Sequence, residues 1–344
     1  MVLGPDPAGL PSVRVGEEAL EPITAPAGQP SQGPTAATAG RSLRQIAWSR
    51  LKRDRAAMGG GITIIALILM AIFAPLIVKL LGHPPNEFHQ DPSLLDPELG
   101  NLPRGAFGGI STQFLFGLEP LNGRDIFSRV VQGAQISLLI AFLSTLLSVV
   151  IGGTLGVIAG YFGGWVDAII SRTMDIFLAF PLLIFAIALV GVVPDEAFGL
   201  HGDALRIVLL VFVIGFFNWP YLGRIVRGQA LSLREAEFVD AARSLGARGR
   251  YIIFKEMLPN LAAPILVYST LLIPTNIIFE AALSFLGVGI RPPTATWGSM
   301  ISQAVTYYTL PHFMFWPGMA IFITVLAFNL FGDGLRDALD PKAR

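Results

Sequence analysis

The 344-residue chain contains no cysteine and few charged side chains. Without cysteine it has no disulfide, no thiol nucleophile and no thiolate ligand for a metal or an iron–sulfur cluster. Charged residues make up 14% of the chain, whereas soluble domains carry about 25%. Apolar residues make up 53%, and the mean hydropathy is +0.63. This composition is typical of a membrane protein.

The sequence also lacks a phosphate-binding P-loop. That loop requires Gly-Lys-Ser/Thr, because the lysine must reach the terminal phosphates while backbone amides hold the others. None of the four lysines follows a glycine, so we expect any ATPase to be another polypeptide. The formal net charge is zero and the basic residues do not form one patch, which argues against nucleic-acid binding.

Enzymatic and metal sites have little support. The four histidines show no spacing typical of metal ligands, and we interpret them as surface residues in loops or at the ends of membrane helices. They are His83, His89, His201 and His312. There is no Gly-x-Ser-x-Gly elbow of the kind that holds a hydrolase nucleophile. We therefore expect no catalytic residue, metal or cofactor in this chain.

Six apolar segments are long enough for membrane helices, which need about 20 mostly apolar residues. They are Ile62–Leu81, Ile136–Ile158, Met174–Val193, Ile207–Leu222, Ala262–Val288 and Phe313–Phe331. Pro220 is expected to kink the fourth segment or to end it early. The fifth segment is long enough that we expect it to break or bend.

Three glycines recur at every fourth residue of the second segment, namely Gly152, Gly156 and Gly160. At the helical period they lie on one face. Small residues let a neighbouring helix approach closely in lipid. We therefore predict that this face packs against another helix.

The distribution of Lys and Arg predicts the orientation, because cytoplasmic loops of membrane proteins carry an excess of positive charge. Basic residues are concentrated before the first segment, between the fourth and fifth, and after the sixth. The linkers before the fourth and sixth segments carry only Arg206 and Arg291. The predicted fold is an all-α membrane protein with six transmembrane helices and both termini in the cytoplasm.

This topology divides the chain into five parts. They are a disordered tail at 1–40, a basic cytoplasmic segment at 41–61, the first span at 62–81, an extracytoplasmic loop at 82–134, and a core of five spans at 135–344. The core includes a basic cytoplasmic loop at 224–260, called the coupling loop below. The tail is rich in Pro, Gly, Ala, Ser and Thr, and such segments bury too little apolar surface to fold. A cleaved signal peptide is not expected, because the first apolar run is too long.

The fifth span carries polar residues, which cost about 2.5–3.5 kcal/mol for a charge at mid-membrane and are functional candidates for that reason. Four of them share one helix face at spacings of seven, four and four: Ser269, Asn276, Glu280 and Ser284. This face either lines a translocation path or holds the bundle together through hydrogen bonds from Glu280. Asn218, near the end of the fourth span, is a further candidate for the path.

Within the coupling loop, residues 235–259 contain a short helix pattern. Its apolar stripe has the spacing i, i+3, i+4 and i+7 and consists of Phe238, Ala241, Ala242 and Leu245. Gly246 follows where a helix can end in a left-handed residue. Such a helix could enter a groove on a partner protein or lie on the bilayer surface.

Asp240-Ala241-Ala242, then Gly246 and Leu258-Pro259, resembles the EAA loop of ABC-importer permeases. Asp240 replaces the usual Glu of that loop. Three further stretches, at 123–138, 284–298 and 331–341, resemble the dipeptide and oligopeptide permeases, and the last is similar to the C-type subunit. The resemblance covers about residues 41–341 and departs from the family at Leu118-Glu119-Pro120.

This resemblance implies a type I ABC-importer permease fold in the bacterial cell membrane and a transport subunit that is not an enzyme. It implies four kinds of partner: a B-type permease, two P-loop ATPases that bind ATP and Mg, an extracytoplasmic peptide-binding protein and membrane lipid. Docking on the ATPase is implied for Phe238, Asp240, Ala241, Ala242, Leu245, Gly246, Leu258 and Pro259. The path candidates are Asn276, Glu280, Ser284 and Asn218.

The cargo predicted from the resemblance is di- or oligopeptides. One alternative is a permease of the same family for nickel or another small solute, against which the lack of His or Met clusters argues. A second alternative, from another class, is a channel or secondary transporter that works without ATP. Such transporters commonly have internal repeats, and none is evident here.

Overall fold

The computed structural model describes residues 43–194 and 196–339, and this part of the chain is almost entirely helical. Its strands form two short antiparallel hairpins, β1 (Leu95–Asp96) with β2 (Leu102–Pro103) and β3 (Glu196–Ala197) with β4 (Leu200–His201). The predicted all-α class therefore holds apart from two hairpins in the loops. The tail predicted at 1–40 lies outside the described residues.

The helices differ widely in length. In chain order they are α1 (Leu43–Leu51), α2 (Arg55–Ile72), α3 (Ala74–Leu81), α4 (Ile126–Phe162), α5 (Gly164–Ala179), α6 (Leu182–Val192), α7 (Gly202–Arg234), α8 (Glu237–Ser244), α9 (Gly249–Tyr251), α10 (Leu258–Phe285), α11 (Trp297–Thr306) and α12 (Pro311–Leu339). A 3₁₀ turn at Ala106–Gly108 and a π-helix at Ile252–Met257 complete the described part.

Within the described residues, five helical segments are long and apolar enough to cross a membrane: α2, α4, α7, the run Gly249–Phe285, and α12. The pair α5 and α6 makes a sixth if it is counted as one span, although its two helices are bent by 80°. The bend divides the segment predicted at Met174–Val193. Phe180 is extended there, because the residue before a proline, here Pro181, disfavours the helical conformation.

Two helices begin earlier than the apolar pattern predicts, because aspartates cap them. The Asp54 carboxylate accepts hydrogen bonds from the backbone N–H groups of Ala56 and Ala57 at 2.9 and 3.1 Å, so α2 begins at Arg55 and not at Ile62. Asp125 caps α4 in the same way, which moves its start to Ile126. The loop predicted at 82–134 therefore occupies 82–125.

Prolines do not end the long helices. Of the two outcomes expected at Pro220, an early end of the helix is wrong, since α7 continues for 14 residues beyond it to Arg234, and the kink stays a prediction. Helix α10 likewise continues through Pro264 and Pro274. A proline removes one backbone hydrogen bond, and α7 nevertheless stays helical through Pro220, where it packs along α4.

The centre of the bundle is the contact between α4 and α7. Gly152, Gly156 and Gly160 face α7, which confirms the predicted packing face. A Cβ atom added to Gly152 would lie 2.5 Å from the carbonyl oxygen of Trp219, and one added to Gly156 would lie 2.6 Å from that of Gly223. The two backbones are therefore in direct contact, and a larger residue would force them apart.

Candidate functional site: the coupling loop and the polar core

Helix α8 forms the centre of the coupling loop and follows α7 after only residues 235 and 236. It ends where predicted, at Gly246, whose φ of +81° is in the left-handed region. The N–H of Gly246 donates to the carbonyl of Arg243 at 2.9 Å, and that of Ala247 donates to Ala242 at 3.0 Å. These bonds satisfy carbonyl groups that the end of a helix leaves free. The predicted helix and its glycine-terminated end are confirmed.

The apolar stripe of α8 lies mostly on the outside of the chain. Phe238 is 38% exposed and Leu245 is 89% exposed, whereas Ala242 is partly packed. The side chain that anchors α8 is Val239, which is fully buried near Ile252 and Met257. Sequence reasoning missed Val239, since its position between two stripe residues gave no signal of burial.

The other predicted docking residues are also accessible. Asp240 is exposed and pairs with Arg243, with 3.1 Å between the carboxylate and the guanidinium. Leu258 and Pro259 are exposed at the start of α10. A cleft of about 500 Å³ adjoins Gly246, with Tyr251 and Glu256 also on its wall. Of the predicted docking residues, Ala242, Leu245 and Gly246 line this cleft together.

The coupling loop rests on the turn between α4 and α5. The guanidinium of Arg243 lies 5.9 Å from the ring centroid of Tyr161, the second-last residue of α4. Arg227 of α7 forms two contacts with Asp167 of α5, one of them 2.6 Å between Nη2 and Oδ2. Ser171 adds a hydrogen bond to Asp167 at 3.1 Å. Sequence reasoning did not single out Asp167, for which the only signal was a lone carboxylate in a short linker.

Glu280 of α10 is fully buried inside the chain. Its two carboxylate oxygens accept hydrogen bonds from Ser137 of α4 at 3.0 Å and from Ser284 at 2.8 Å. The hydroxyl of Ser137 also accepts a bond from the backbone N–H of Trp297 at 3.3 Å. These contacts connect α4, α10 and α11.

Asn276 forms a second set of contacts one turn before Glu280. Its carbonyl oxygen accepts a hydrogen bond from Asn218 of α7, and its amide donates to Thr145 of α4, both at 2.9 Å. The Thr145 hydroxyl donates in turn to the carbonyl of Ala141 at 2.8 Å. Together with the Glu280 contacts, these groups form the polar core.

All four predicted path residues belong to the polar core, namely Asn218, Asn276, Glu280 and Ser284, and each is buried. Their contacts are those expected if the polar face holds the bundle together. Asn218 also borders a cavity of about 420 Å³ at the bend between α5 and α6, beside the rings of Phe177, Phe180 and Phe217. That these residues line a path stays a prediction.

A buried ionic cluster lies at the other end of the bundle. Arg129 of α4 is fully buried, with its Nε 3.2 Å from one carboxylate oxygen of Glu119. Arg124 contacts the other oxygen of that carboxylate. Arg129 also donates to the carbonyl of Pro293 at 3.1 Å. Glu119 stands in the stretch where the sequence departs from the family pattern, and its one carboxylate pairs with both arginines.

One histidine contradicts the expected surface position. His312, the second residue of α12, is 1% exposed, and its Nε2 donates to the carbonyl of Leu118 at 3.0 Å. It is buried because the 82–125 loop folds over the start of α12, which the position at a span edge did not reveal. In that loop the ring of His83 stacks on that of Phe114, and the ring of His89 meets Phe114 edge-on. In residues 43–194 and 196–339, no group of three or more His, Asp or Glu side chains is arranged to hold a metal.

The helical arrangement is similar to that of a solved membrane subunit. A chain of the MetNI methionine ABC transporter, in inward-facing conformations, aligns with a TM-score of 0.51 at 21% identity, over 62% of this chain and 98% of that one. At this identity the likeness concerns the fold alone. The fold is that of a type I ABC-transporter permease, and the coupling loop is exposed on its surface.

Sequence comparison identifies the family. Residues 152–344, more than half of the chain, match the family described as binding-protein-dependent transport system inner membrane component. The chain belongs to this family of ABC-importer permeases. Residues 42–103 match the N-terminal transmembrane domain of oligopeptide transport permease C. The chain is therefore a C-type permease subunit, a multi-pass component of the inner membrane, and the predicted resemblance is confirmed.

Two relatives match over nearly the whole chain. The dipeptide transport system permease protein DppC of Alkalihalophilus pseudofirmus is 40% identical over 299 residues, 87% of this chain and 90% of that protein. The glutathione transport system permease protein GsiD of Escherichia coli is 42% identical over 298 residues, 86% of this chain and 90% of that protein. Each of these alignments includes both the first membrane helices and the coupling loop.

Proposed function

We propose that this permease subunit imports di- or oligopeptides across the bacterial cell membrane, with both termini and the coupling loop in the cytoplasm. Relatives named for dipeptide and glutathione transport, at 40% and 42% identity, support the substrate class. The basic residues of the coupling loop support the orientation. Six spans follow if α5 and α6 together cross the membrane once.

The proposed partners are a B-type permease, two P-loop ATPases that hold ATP and Mg, and an extracytoplasmic peptide-binding protein. The observation that carries the ATPase contact is the exposed stripe of α8. Phe238 and Leu245 are exposed, and Leu245 lines the cleft at Gly246, which suits a short helix that enters a groove. The absence of a P-loop in this sequence is consistent with a separate ATPase.

In this mechanism, ATP binding brings the ATPases together and displaces α8. Helix α8 is joined to α7 by two residues and to α10 through α9 and the π-helix. Its displacement therefore acts on α7 and α10, two of the helices that supply the polar core. ATP shifts the balance between outward- and inward-open states only through contacts that differ between those states, and the contacts of α8 supply that difference.

The replacement of Gly246 by valine tests the ATPase contact. A β-branched residue resists a φ of +81°, so the Gly246→Val variant should alter the end of α8 and lose peptide uptake in proteoliposomes that contain the complete complex. Gly287→Val is a matched control, since Gly287 also has a φ of +81° and open space around it. Equal uptake by the two variants would argue against the docking role of α8.

The substrate class needs a separate measurement. Uptake of a radiolabelled dipeptide should require this subunit, and unlabelled dipeptide should compete for it. Uptake of nickel without uptake of peptide would instead support the small-solute alternative. Uptake of either solute in complexes whose ATPases cannot hydrolyse ATP would support a channel or secondary transporter.

A further inference from the structure

The contact between Asp167 and Arg227 has the geometry of a strong ion pair. Nε and Nη2 of the guanidinium each contact a different carboxylate oxygen, and the Ser171 hydroxyl fixes the carboxylate further. Such bidentate, charge-assisted pairs combine directional precision with strength. The Asp167 side chain is 18% exposed and that of Arg227 is 31% exposed, so water screens this pair only in part.

A second pair repeats the contact along the same two helices. Arg224 of α7 contacts Asp175 of α5, eight residues after Asp167. The later aspartate pairs with the earlier arginine, so α5 runs antiparallel to α7. At 1.5 Å per residue, the two aspartates lie about 12 Å apart along α5. Both side chains of the second pair are about half exposed, so it is the weaker of the two.

Besides these ion pairs, the ring of Phe177 in α5 contacts aromatic rings of α7, those of Phe216, Phe217 and Trp219. Met174 is the only buried residue within α5. Helix α5 is linked to α4 by a turn of two glycines with positive φ, Gly163 at +66° and Gly164 at +54°. Such residues allow the chain to change direction. Apolar surfaces gain little from association within lipid. The ion pairs are therefore the directional contacts that join α5 to α7, and they act together with the aromatic contacts of Phe177.

The position of Arg227 connects this contact with α8, the centre of the coupling loop. Arg227 lies two turns before the end of α7 at Arg234, and α8 begins three residues later. In the other direction, α5 leads to the 80° bend and the cavity beside Asn218. A displacement of α8 can therefore reach that cavity through α7, the Asp167–Arg227 pair and α5.

We infer that the Asp167–Arg227 pair makes the α5–α6 span move together with α7 when the coupling loop is displaced. Both residues act as positioning residues, through their contact with each other. This inference rests on the proposed function, because it assumes that ATPases displace α8. The pair would thus pass a movement of α8 on to α5 and α6, in addition to its direct connections with α7 and α10.

Transport measurements on the complete complex test the inference. Asp167→Asn should lower the peptide uptake per ATP hydrolysed by about tenfold, the effect of one charge-assisted contact. The exchanged pair Asp167→Arg with Arg227→Asp should restore part of that ratio. Asp175→Asn is the matched control, with an expected loss below about fivefold. Equal losses for the two aspartates, or no recovery in the exchanged pair, would contradict the inference.

A distance measurement keeps the inference separate from the choice of substrate. Because the chain has no cysteine, spin labels can be attached uniquely to Ile169→Cys on α5 and Glu235→Cys beside α8, both at exposed positions. The distance between the labels should stay constant with and without ATP, and should become ATP-dependent in Asp167→Asn. A constant distance in both proteins, or an ATP-dependent one in both, would overturn the inference. Failure of peptide uptake would refute only the proposed substrate.

Discussion

The polar core and the α5–α7 ion pairs show two uses of polar side chains on neighbouring parts of one bundle. In the polar core, Glu280 and Asn276 are fully buried and bound by side chains of other helices. In the ion pairs, Asp167 and Asp175 carry full charges but remain partly accessible to water. The polar side chains of the two regions therefore differ mainly in whether water can replace a lost hydrogen-bond partner.

This difference predicts unequal consequences of mutation. A buried donor or acceptor that loses its partner costs about 1–3 kcal/mol, because no water takes the vacated place. An exposed ion pair contributes about 0–1 kcal/mol, because water solvates both groups once they separate. The polar core is thus suited to hold α4, α7 and α10 in one arrangement, while the less buried ion pairs join α5 to α7 more weakly.

The largest effect is expected for Glu280→Ala. This change removes the acceptor of both Ser137 and Ser284 and leaves a cavity, so the unfolding free energy of the chain should fall by roughly 2–4 kcal/mol. Denaturant unfolding in detergent micelles measures the change. Glu280→Gln keeps the shape and one acceptor and should lose less than about 1 kcal/mol. An equal loss in the two variants would mean that the carboxylate's charge, and not its bonds, stabilises the bundle.

A smaller effect is expected where α4 meets α7 beside the polar core. In Gly156→Ala the new Cβ would lie 2.6 Å from the carbonyl oxygen of Gly223, and separation of the helices should cost about 1–3 kcal/mol. The control is Gly153→Ala, where nothing lies within 4 Å and the change should be neutral or stabilise by up to about 1 kcal/mol. Thermal unfolding of both variants decides whether close backbone contact explains the glycine spacing.

The smallest effect is expected for Asp175→Asn. Both side chains of the Asp175–Arg224 pair are about half exposed, so the unfolding free energy should change by less than about 0.5 kcal/mol. The remaining effect should disappear at high ionic strength, which screens exposed charges, and a salt titration of the unfolding midpoint measures this. A loss as large as that of Glu280→Ala would remove the proposed distinction between the two regions.

Sequence reasoning located the features that depend on local pattern. Long apolar runs gave the approximate spans, the glycine spacing gave the face of α4, and Gly246 gave the end of α8. These succeed because a helix places every third or fourth residue on one face, and because few residues other than glycine accept a left-handed conformation. The docking and path roles of the predicted residues stay predictions.

The features that sequence reasoning missed depend on contacts or on polar residues outside the apolar runs. Asp54 and Asp125 extend α2 and α4 beyond their apolar parts by capping them. Pro181 divides the third span, although the apolar run continues across it. The burial of His312 depends on the 82–125 loop, whose path over α12 leaves no periodic pattern in the sequence.

That loop is tied to the bundle at several separate points. The ring of Phe116 stacks on that of Trp316 with 3.8 Å between centroids, His312 binds the carbonyl of Leu118, and Glu119 pairs with Arg129. Because each contact needs both of its partners, the loop and the ends of α4 and α12 depend on one another's residues. We expect a chimera that receives the loop of a relative to fold only when it also receives the matching residues of those two helices.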